Sequence, residues 1–371
     1  MKKWLGLAFL FASLPLWASD PLSLALPEPQ LCLYSRIGPT LREVIREQIA
    51  STTAGAAVST ITSAYVAGRD WGNTWKQEIQ KKAGKNQKKK SLKPDTSSPS
   101  RMVSALAFLR DRMKFVPEET WLYVRNSSEF LLVVSGDVVP ENWRCLFSPE
   151  LLINRGKGFS VGNQLQNSRE NPILLHVTPG FLLVFPANLE GTVLDGLSET
   201  APRLGEKWNT FMKMANLKPL LALELDTSEQ VSAQSEAGAP FPFSEIQRLR
   251  CLVSTDLIKG QAFLIHDDAR TLVLSQIIDL VRELTAPLET ATGNINQASL
   301  QESPWPAIAR AMKAKIQGQS VFLDGPGFKH HLSTAGAAVI GAIDSLISRH
   351  LPADLLPTSP KQGLLSAVPC P

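Results

Sequence analysis

Residues 120–129 of the chain read TWLYVRNSSE, and residues 220–229 read LLALELDTSE. The second half of each keeps Asn or Asp, then Ser or Thr, then Ser-Glu. Further on, residues 144–152 read RCLFSPELL and residues 250–258 read RCLVSTDLI, so that Arg, Cys, Leu, Ser and a carboxylate followed by Leu recur in register. Similarity that recurs at a fixed spacing indicates an internal repeat of about a hundred residues.

A helical pattern precedes each copy of the repeat. Residues 101–115 and 203–217 both carry apolar side chains at helical spacing, and a proline follows each. A third helix is predicted over 305–317, with Gly318 as its stop and a short strand after it. A predicted helix followed by a predicted strand therefore begins near residues 101, 203 and 305. This nearly equal spacing supports the repeat.

The remainder of each copy is rich in short apolar segments separated by turn residues. These predict strands over 31–35, 130–134, 173–177, 181–185, 247–253 and 261–266, and a helix after Asp267 or Asp268. Strand pairs joined by turns and interleaved with helices favour an α+β fold. We expect two tandem duplicated lobes, residues 101–202 and 203–325, each with an antiparallel sheet and flanking helices.

Helices rich in small residues are predicted near both ends. In the N-terminal segment 19–80, Thr40 and Glu43 form a capping box that opens a long helix. Residues 51–58, STTAGAAV, are nearly repeated as STAGAAV at 333–339, within a C-terminal helix segment 326–351. Because small residues allow close approach, we expect the two helices to pack together; the alternative is a resemblance of composition alone. A loose tail is predicted over 352–371.

The start of the chain predicts export. Residues 1–18 combine Lys2 and Lys3, an apolar run of about a dozen residues and a small residue at Ala18, which is the pattern of a signal peptide. The mature protein is then periplasmic or extracellular; a retained N-terminal anchor is the alternative. The uncharged run 49–68 contains many Ser and Thr residues, so no convincing transmembrane helix is predicted after the signal peptide.

The positive charge is concentrated in one segment. The formal net charge is +4, and a predicted disordered linker, residues 81–100, contributes Lys81, Lys82, Lys85, Lys88, Lys89, Lys90 and Lys93. These lysines are candidate contacts to an anionic surface, such as lipid or an acidic polymer. Aromatic residues are missing between them, which argues against base stacking, and no nucleic-acid motif is found. The alternative is a solvated linker.

The cysteines permit two disulfides in an exported chain. Cys32, Cys145, Cys251 and Cys370 allow three connectivities, and the sequence leaves the pairing open. Alternatively, Cys145 and Cys251 are simply buried apolar residues.

No catalytic set, metal-binding motif or cofactor motif is predicted. His176 and His266 each end a predicted strand and are interpreted as polar strand ends, while the adjacent His330 and His331 are interpreted as a solvated loop. The sequence favours a non-enzymatic binding or scaffold protein of the envelope, which binds an envelope protein or an anionic surface. The alternative is an exported hydrolase-type enzyme with a site between the lobes.

Overall fold

The structure, a computed structural model, describes residues 21–36, 38–51, 59–82, 101–126, 128–147, 149–162, 172–199, 201–226, 246–265, 311–327 and 332–347. Its helices are α1 (Gly38–Ser51), α2 (Thr60–Lys82), α3 (Arg101–Met113), α4 (Pro140–Arg144), α5 (Glu190–Gly196), α6 (Asn209–Asn216) and α7 (Leu332–Ile347). Short 3-10 helices occur at Pro149–Leu151, Ala187–Leu189 and Glu206–Trp208. Its strands are β1 (Leu31–Ser35), β2 (Glu119–Asn126), β3 (Glu129–Ser135), β4 (Leu152–Arg155), β5 (Gly158–Gly162), β6 (Ile173–Thr178), β7 (Phe181–Pro186), β8 (Leu221–Asp226), β9 (Ile246–Val253), β10 (Leu257–Leu264), β11 (Lys313–Gln317) and β12 (Ser320–Pro326).

All of these strands belong to one twelve-stranded sheet. Their order across the sheet is β11-β12-β10-β9-β8-β1-β2-β3-β7-β6-β5-β4, and every neighbouring pair is antiparallel. A large antiparallel sheet with separate helices is an α+β fold, so the predicted class is confirmed.

The centre of the sheet is β1, which lies between the two strands that motivated the repeat. Leu33 of β1 lies opposite Leu122 of β2 on one side and opposite Leu223 of β8 on the other. The segments 101–202 and 203–325 thus contribute to one continuous sheet. Their duplication remains a prediction, and its proposed match of Cys145 with Cys251 is wrong, because Cys145 follows α4 whereas Cys251 lies inside β9.

One face of the central sheet, here called the first face, carries the largest core. It includes Tyr34, Trp121 and Tyr123, and Tyr34 meets Trp121 edge to face at 4.6 Å between ring centroids. Residues 22–26, α5 and α6 cover these rings. Burial of this much apolar area is the main stabilising contribution to the fold.

The opposite, second face carries a separate core under α3 and α4. Met113 of α3 and Trp143 of α4 pack there with Phe159, Val177 and other apolar residues of β5–β7. Successive side chains along a strand point to opposite faces of the sheet, so neighbouring residues pack in different cores. The two helices that precede β2 and β8 therefore pack on opposite faces of the sheet, α3 on the second and α6 on the first.

The N- and C-terminal helices form one packed layer. At Gly68 of α2 a Cβ would overlap the carbonyl oxygen of Ala338 in α7, and at Gly341 it would overlap that of Tyr65. The Tyr65 hydroxyl also donates to the buried Asp344 carboxylate at 2.6 Å. The N- and C-terminal helices thus pack together, but the two glycines at the contact lie outside the similar segments 51–58 and 333–339. Most of the first small-residue segment, 52–58, lies outside the described residues. Within the described chain, no helix has the length and apolar character that crossing a membrane requires.

The third predicted helix is wrong over its last residues. Lys313–Gln317 is strand β11, and it forms a hairpin with β12 in which Gln317 lies opposite Ser320. Gly318, predicted as a helix stop, occupies the turn at φ +58, a conformation that glycine adopts without strain. Hairpin pairing therefore overrides the helical spacing of residues 313–317, while residue 311 is helical. Residues 301–310 lie outside the described chain.

Two boundaries near the N-terminus also differ from expectation. Helix α1 begins at Gly38, before the predicted capping box, and Pro39 suits the first turn of a helix. Thr40 is buried and instead approaches Gly336 of α7. The single long helix is two helices, α1 and α2. Helix α2 extends to Lys82, so the first two residues of the predicted linker are helical.

Candidate functional site

The predicted site residues fall in different parts of the chain. Lys81 and Lys82 end α2, whereas Lys85, Lys88, Lys89, Lys90 and Lys93 lie outside the described residues. His266, His330, His331 and Cys370 lie outside them as well. Within the described chain, no group of His, Cys, Asp and Glu side chains is arranged to hold a metal ion.

The three described cysteines have different environments. Cys145 is disulfide-bonded, while Cys32 and Cys251 carry free thiols. Burial raises the pKa of the Cys251 thiol to about 11, and burial together with the Glu224 carboxylate raises the pKa of Cys32 far above its ordinary value. Since the thiolate is the nucleophile, the raised pKa makes both free thiols weaker nucleophiles at neutral pH.

A charged ladder crosses the first face beside the central core. Glu224 and Asp226 of β8 lie opposite Arg250 and Arg248 of β9. Arg250 Nε donates to Glu224 Oε1 at 2.9 Å, and Arg248 Nη2 donates to Asp226 Oδ2 at 3.2 Å. Lys207 Nζ approaches the same Asp226 oxygen at 2.7 Å. Three cations thus surround two carboxylates, of which Glu224 is fully buried.

Glu224 is the most constrained member of this ladder. Its Oε1 is shared by Arg250 and, at 3.4 Å, by Arg248, while its buried Oε2 has no hydrogen-bond partner in the described part of the chain. A buried carboxylate is stable only when cations and donors compensate for its lost hydration. The ladder therefore fixes both arginine side chains against the sheet.

The first face forms a basic surface that begins at the two arginines of the ladder and continues on to β10, β12 and β11. We call Arg248, Arg250, Lys259, Lys313 and Lys315 the basic face, because the registers of β9, β10, β12 and β11 place all five on that side. Asp324 is the one acid in the same rows of these four strands. Lys259, Lys313 and Lys315 are exposed, so this end of the sheet presents positive charge to solvent.

Two phenylalanines support cations of the basic face. The Arg250 guanidinium lies 5.0 Å from the centroid of the Phe263 ring, and Lys315 Nζ lies 5.7 Å from that of Phe322. Attraction between a cation and the ring face holds each charge above the strand. Because these ring faces are already covered by cations, they are poor platforms for stacking bases.

A second polar cluster lies near the other end of the sheet. Ser160 of β5 lies opposite His176 of β6, and Ser160 Oγ is 3.0 Å from His176 Nδ1. Ser160 Oγ is also 3.4 Å from Glu190 Oε1, which in turn accepts from Arg155 Nε at 3.2 Å. Ser, His and Glu in contact are residue types that nucleophilic catalysis uses.

The detailed geometry of this cluster does not suit a nucleophile. Ser160 and His176 are both fully buried, and His176 Nε2 has no hydrogen-bond partner in the described residues. The tautomer that pairs every buried N–H has Nδ1–H donating to Ser160, which then donates to Glu190. In this arrangement the histidine does not accept the serine proton. Burial lowers the pKa of His176 to about 4, against the opposing effect of Glu190, so the ring is neutral at pH 7.

Sequence reasoning missed both groups. His176 is interior to β6 rather than at a strand end, and the partners Ser160 and Glu190 come from separate elements. In the ladder, Glu224 and Asp226 are two residues apart with a leucine between them. Arg248 and Arg250 have the same spacing, also with a leucine between them. That alternation is a readable signal of one shared strand face, but the pairing of β8 with β9 was not predicted.

Comparison with known proteins adds no assignment. No known protein family, no curated protein sequence and no solved structure matches the chain.

Proposed function

We propose that the chain is an exported, non-enzymatic binding or scaffold protein of the cell envelope that attaches to an anionic partner through the basic face. The observation that carries this proposal is the concentration of positive charge at one end of the sheet, where Asp324 is the one acid in the rows that hold Lys259, Lys313 and Lys315. Export is supported by the signal-peptide pattern of residues 1–18.

The rigidity of the surface supports binding rather than mere solubility. Lys315 is held over Phe322, whereas the charges of Arg248 and Arg250 are compensated by the carboxylates of the ladder. Ligand contacts with pre-positioned cations lose less side-chain entropy than contacts with free lysines. The seven lysines between residues 81 and 93 would add charge to the same attachment. Attraction can reach about 1 kcal/mol per Lys near an anionic membrane.

The test is cosedimentation of the mature protein with isolated envelopes and with anionic lipid vesicles. Binding is expected to weaken as salt is raised, because exposed charges are screened over about 8 Å at physiological ionic strength. Replacing the seven linker lysines with Gln is expected to reduce cosedimentation without shifting thermal unfolding. Cosedimentation that is absent, or unchanged by salt, contradicts the proposal.

The alternative is an exported hydrolase, predicted with a site between the lobes. The contact that favours it, between Ser160 and His176, lies instead within residues 101–202. Treatment of the folded protein with a serine-reactive fluorophosphonate distinguishes the two functions. Covalent labelling of Ser160 supports the hydrolase, whereas no labelling supports the binding protein, in which this hydroxyl is buried and donates to Glu190.

A further inference from the structure

Strand β11 is one end of the sheet, and no described strand pairs with its outer edge. Among the described residues it pairs with β12 alone. Four of its five residues are exposed, namely Lys313, Lys315, Ile316 and Gln317. An edge strand of this kind presents unpaired backbone donors and acceptors that can bind another strand.

The side chains of β11 differ between its two faces. Lys313, Lys315 and Gln317 lie on the first face, whereas Ala314 and Ile316 lie on the second. Ile316 is 39% exposed and is one of few large apolar side chains that are exposed in the described chain. The edge therefore combines positive charge on one side with an apolar strip on the other.

The charges of this edge select against a second copy of the same strand. Antiparallel pairing of β11 with itself would bring lysines close to lysines, and like charges on neighbouring strands destabilise a sheet. The strand at the other end of the sheet, β4, carries the positive charge of Arg155, which does not complement the lysines of β11. The nearby acid Glu190 is already paired with Arg155. Lysines on an edge commonly prevent such self-association.

A strand of opposite charge fits the edge. Lys315 has an acidic neighbour in Asp324 at 3.6 Å, a long contact between exposed groups, and Lys313 has no ion pair with any described residue. Acidic side chains on an added strand would lie beside these lysines on the first face. Apolar side chains at the alternate positions would lie beside Ala314 and Ile316. Backbone hydrogen bonds would supply affinity, and the alternating side chains specificity.

We propose that β11 binds an extended segment of an envelope protein as a thirteenth strand, in which acidic and apolar residues alternate. This proposal rests on the proposed function, and it names the class of partner as a protein segment that pairs with the sheet edge. The acidic side chains of the partner strand then lie beside the basic face, since Lys259 lies on the same side of the sheet as Lys313.

The experiment uses the full mature protein and a fluorescent peptide of about eight residues in which Glu and Val alternate. Binding is followed by fluorescence anisotropy at low salt. The double variant Lys313→Glu, Lys315→Glu is expected to bind about tenfold more weakly, because two favourable cross-strand pairs become repulsive. The matched control is the double variant Lys114→Glu, Lys213→Glu at exposed positions outside the sheet, which changes the net charge by the same amount and for which the affinity is expected to stay unchanged. A peptide with Lys in place of Glu is expected to bind the Lys313→Glu, Lys315→Glu variant better than the wild-type protein.

Amide hydrogen exchange reports the location of the peptide. Residues 313–317 are expected to become protected when the Glu-Val peptide binds, while β4 at the other edge stays unprotected. The added strand is ruled out if the peptide does not bind, or if it binds without protecting residues 313–317. It is also ruled out if the Lys114→Glu, Lys213→Glu control loses as much affinity as the Lys313→Glu, Lys315→Glu variant. Cosedimentation with lipid vesicles that persists in that case leaves the proposed function standing, so the two failures are distinguishable.

Discussion

The Glu224 carboxylate and the Arg250 guanidinium lie directly opposite each other on β8 and β9, with Nε 2.9 Å from Oε1 and the carboxylate fully buried. This pair lies at the boundary between the apolar core of the first face and the basic face. It therefore couples the stability of the sheet to the position of the cations that we assign to binding.

Replacing Glu224 with Gln is expected to destabilise the protein by about 3 kcal/mol, because it leaves two partly buried guanidinium groups without their shared carboxylate. Urea unfolding measures the change. The matched control is Glu118→Gln, which removes an exposed ion pair with Arg42 at 2.6 Å and is expected to cost less than about 1 kcal/mol. Equal effects of the two substitutions would show that the buried ladder does not stabilise the sheet.

The sequence predicts more of the fold than of the site, and the reason is physical. Apolar periodicity is a local property, so strands such as β1, β6 and β7 and the helix α3 are readable from the residues alone. Strand pairing is not local. Residues 313–317 show the limit, because their helical spacing is overridden by pairing in a hairpin that turns at Gly318.

The candidate site depends wholly on such pairing. Lys259 and Lys313 lie far apart in the sequence and reach one face because β12 lies between β10 and β11. The lysine-rich linker drew attention by composition, whereas the basic face is assembled from single charges on separate strands. Likewise, the contact of His176 with Ser160 depends on the pairing of β6 with β5, which the sequence alone does not predict.

Substitution of Gly68 with Ala is expected to destabilise the layer of α2 and α7, because the added methyl group overlaps the Ala338 carbonyl group. The expected loss is about 1–3 kcal/mol, as for other overpacked positions. Gly191→Ala in α5 is the control, since open space surrounds that position and Ala favours a helix by roughly 0.5–1 kcal/mol. Thermal unfolding of the two variants should therefore shift in opposite directions.

Acid is expected to destabilise the protein through His176. Its pKa is lowered to about 4 by burial, while an unfolded histidine titrates near 6.5. The unfolded state therefore binds the proton first, so stability is complete above about pH 6.5 and falls as the pH drops toward 4. The loss attributable to this residue approaches about 3 kcal/mol.

The pH dependence is measured by urea unfolding at several pH values for the wild-type protein and for His176→Gln. The variant loses stability overall, yet its unfolding free energy should vary less between pH 6.5 and pH 4. An identical pH slope in both proteins would mean that His176 is not the titrating group.

The central claim, that the basic face is the attachment surface, is tested most directly by comparing two double variants of equal net charge. One is Lys259→Gln with Lys313→Gln on the basic face, and the other is Lys114→Gln with Lys213→Gln at exposed positions elsewhere. Dissociation constants for isolated envelopes are measured at low salt. The account predicts a severalfold weaker affinity for the first variant and an unchanged affinity for the second. Equal weakening of both variants would mean that overall charge, and not this face of the sheet, drives attachment.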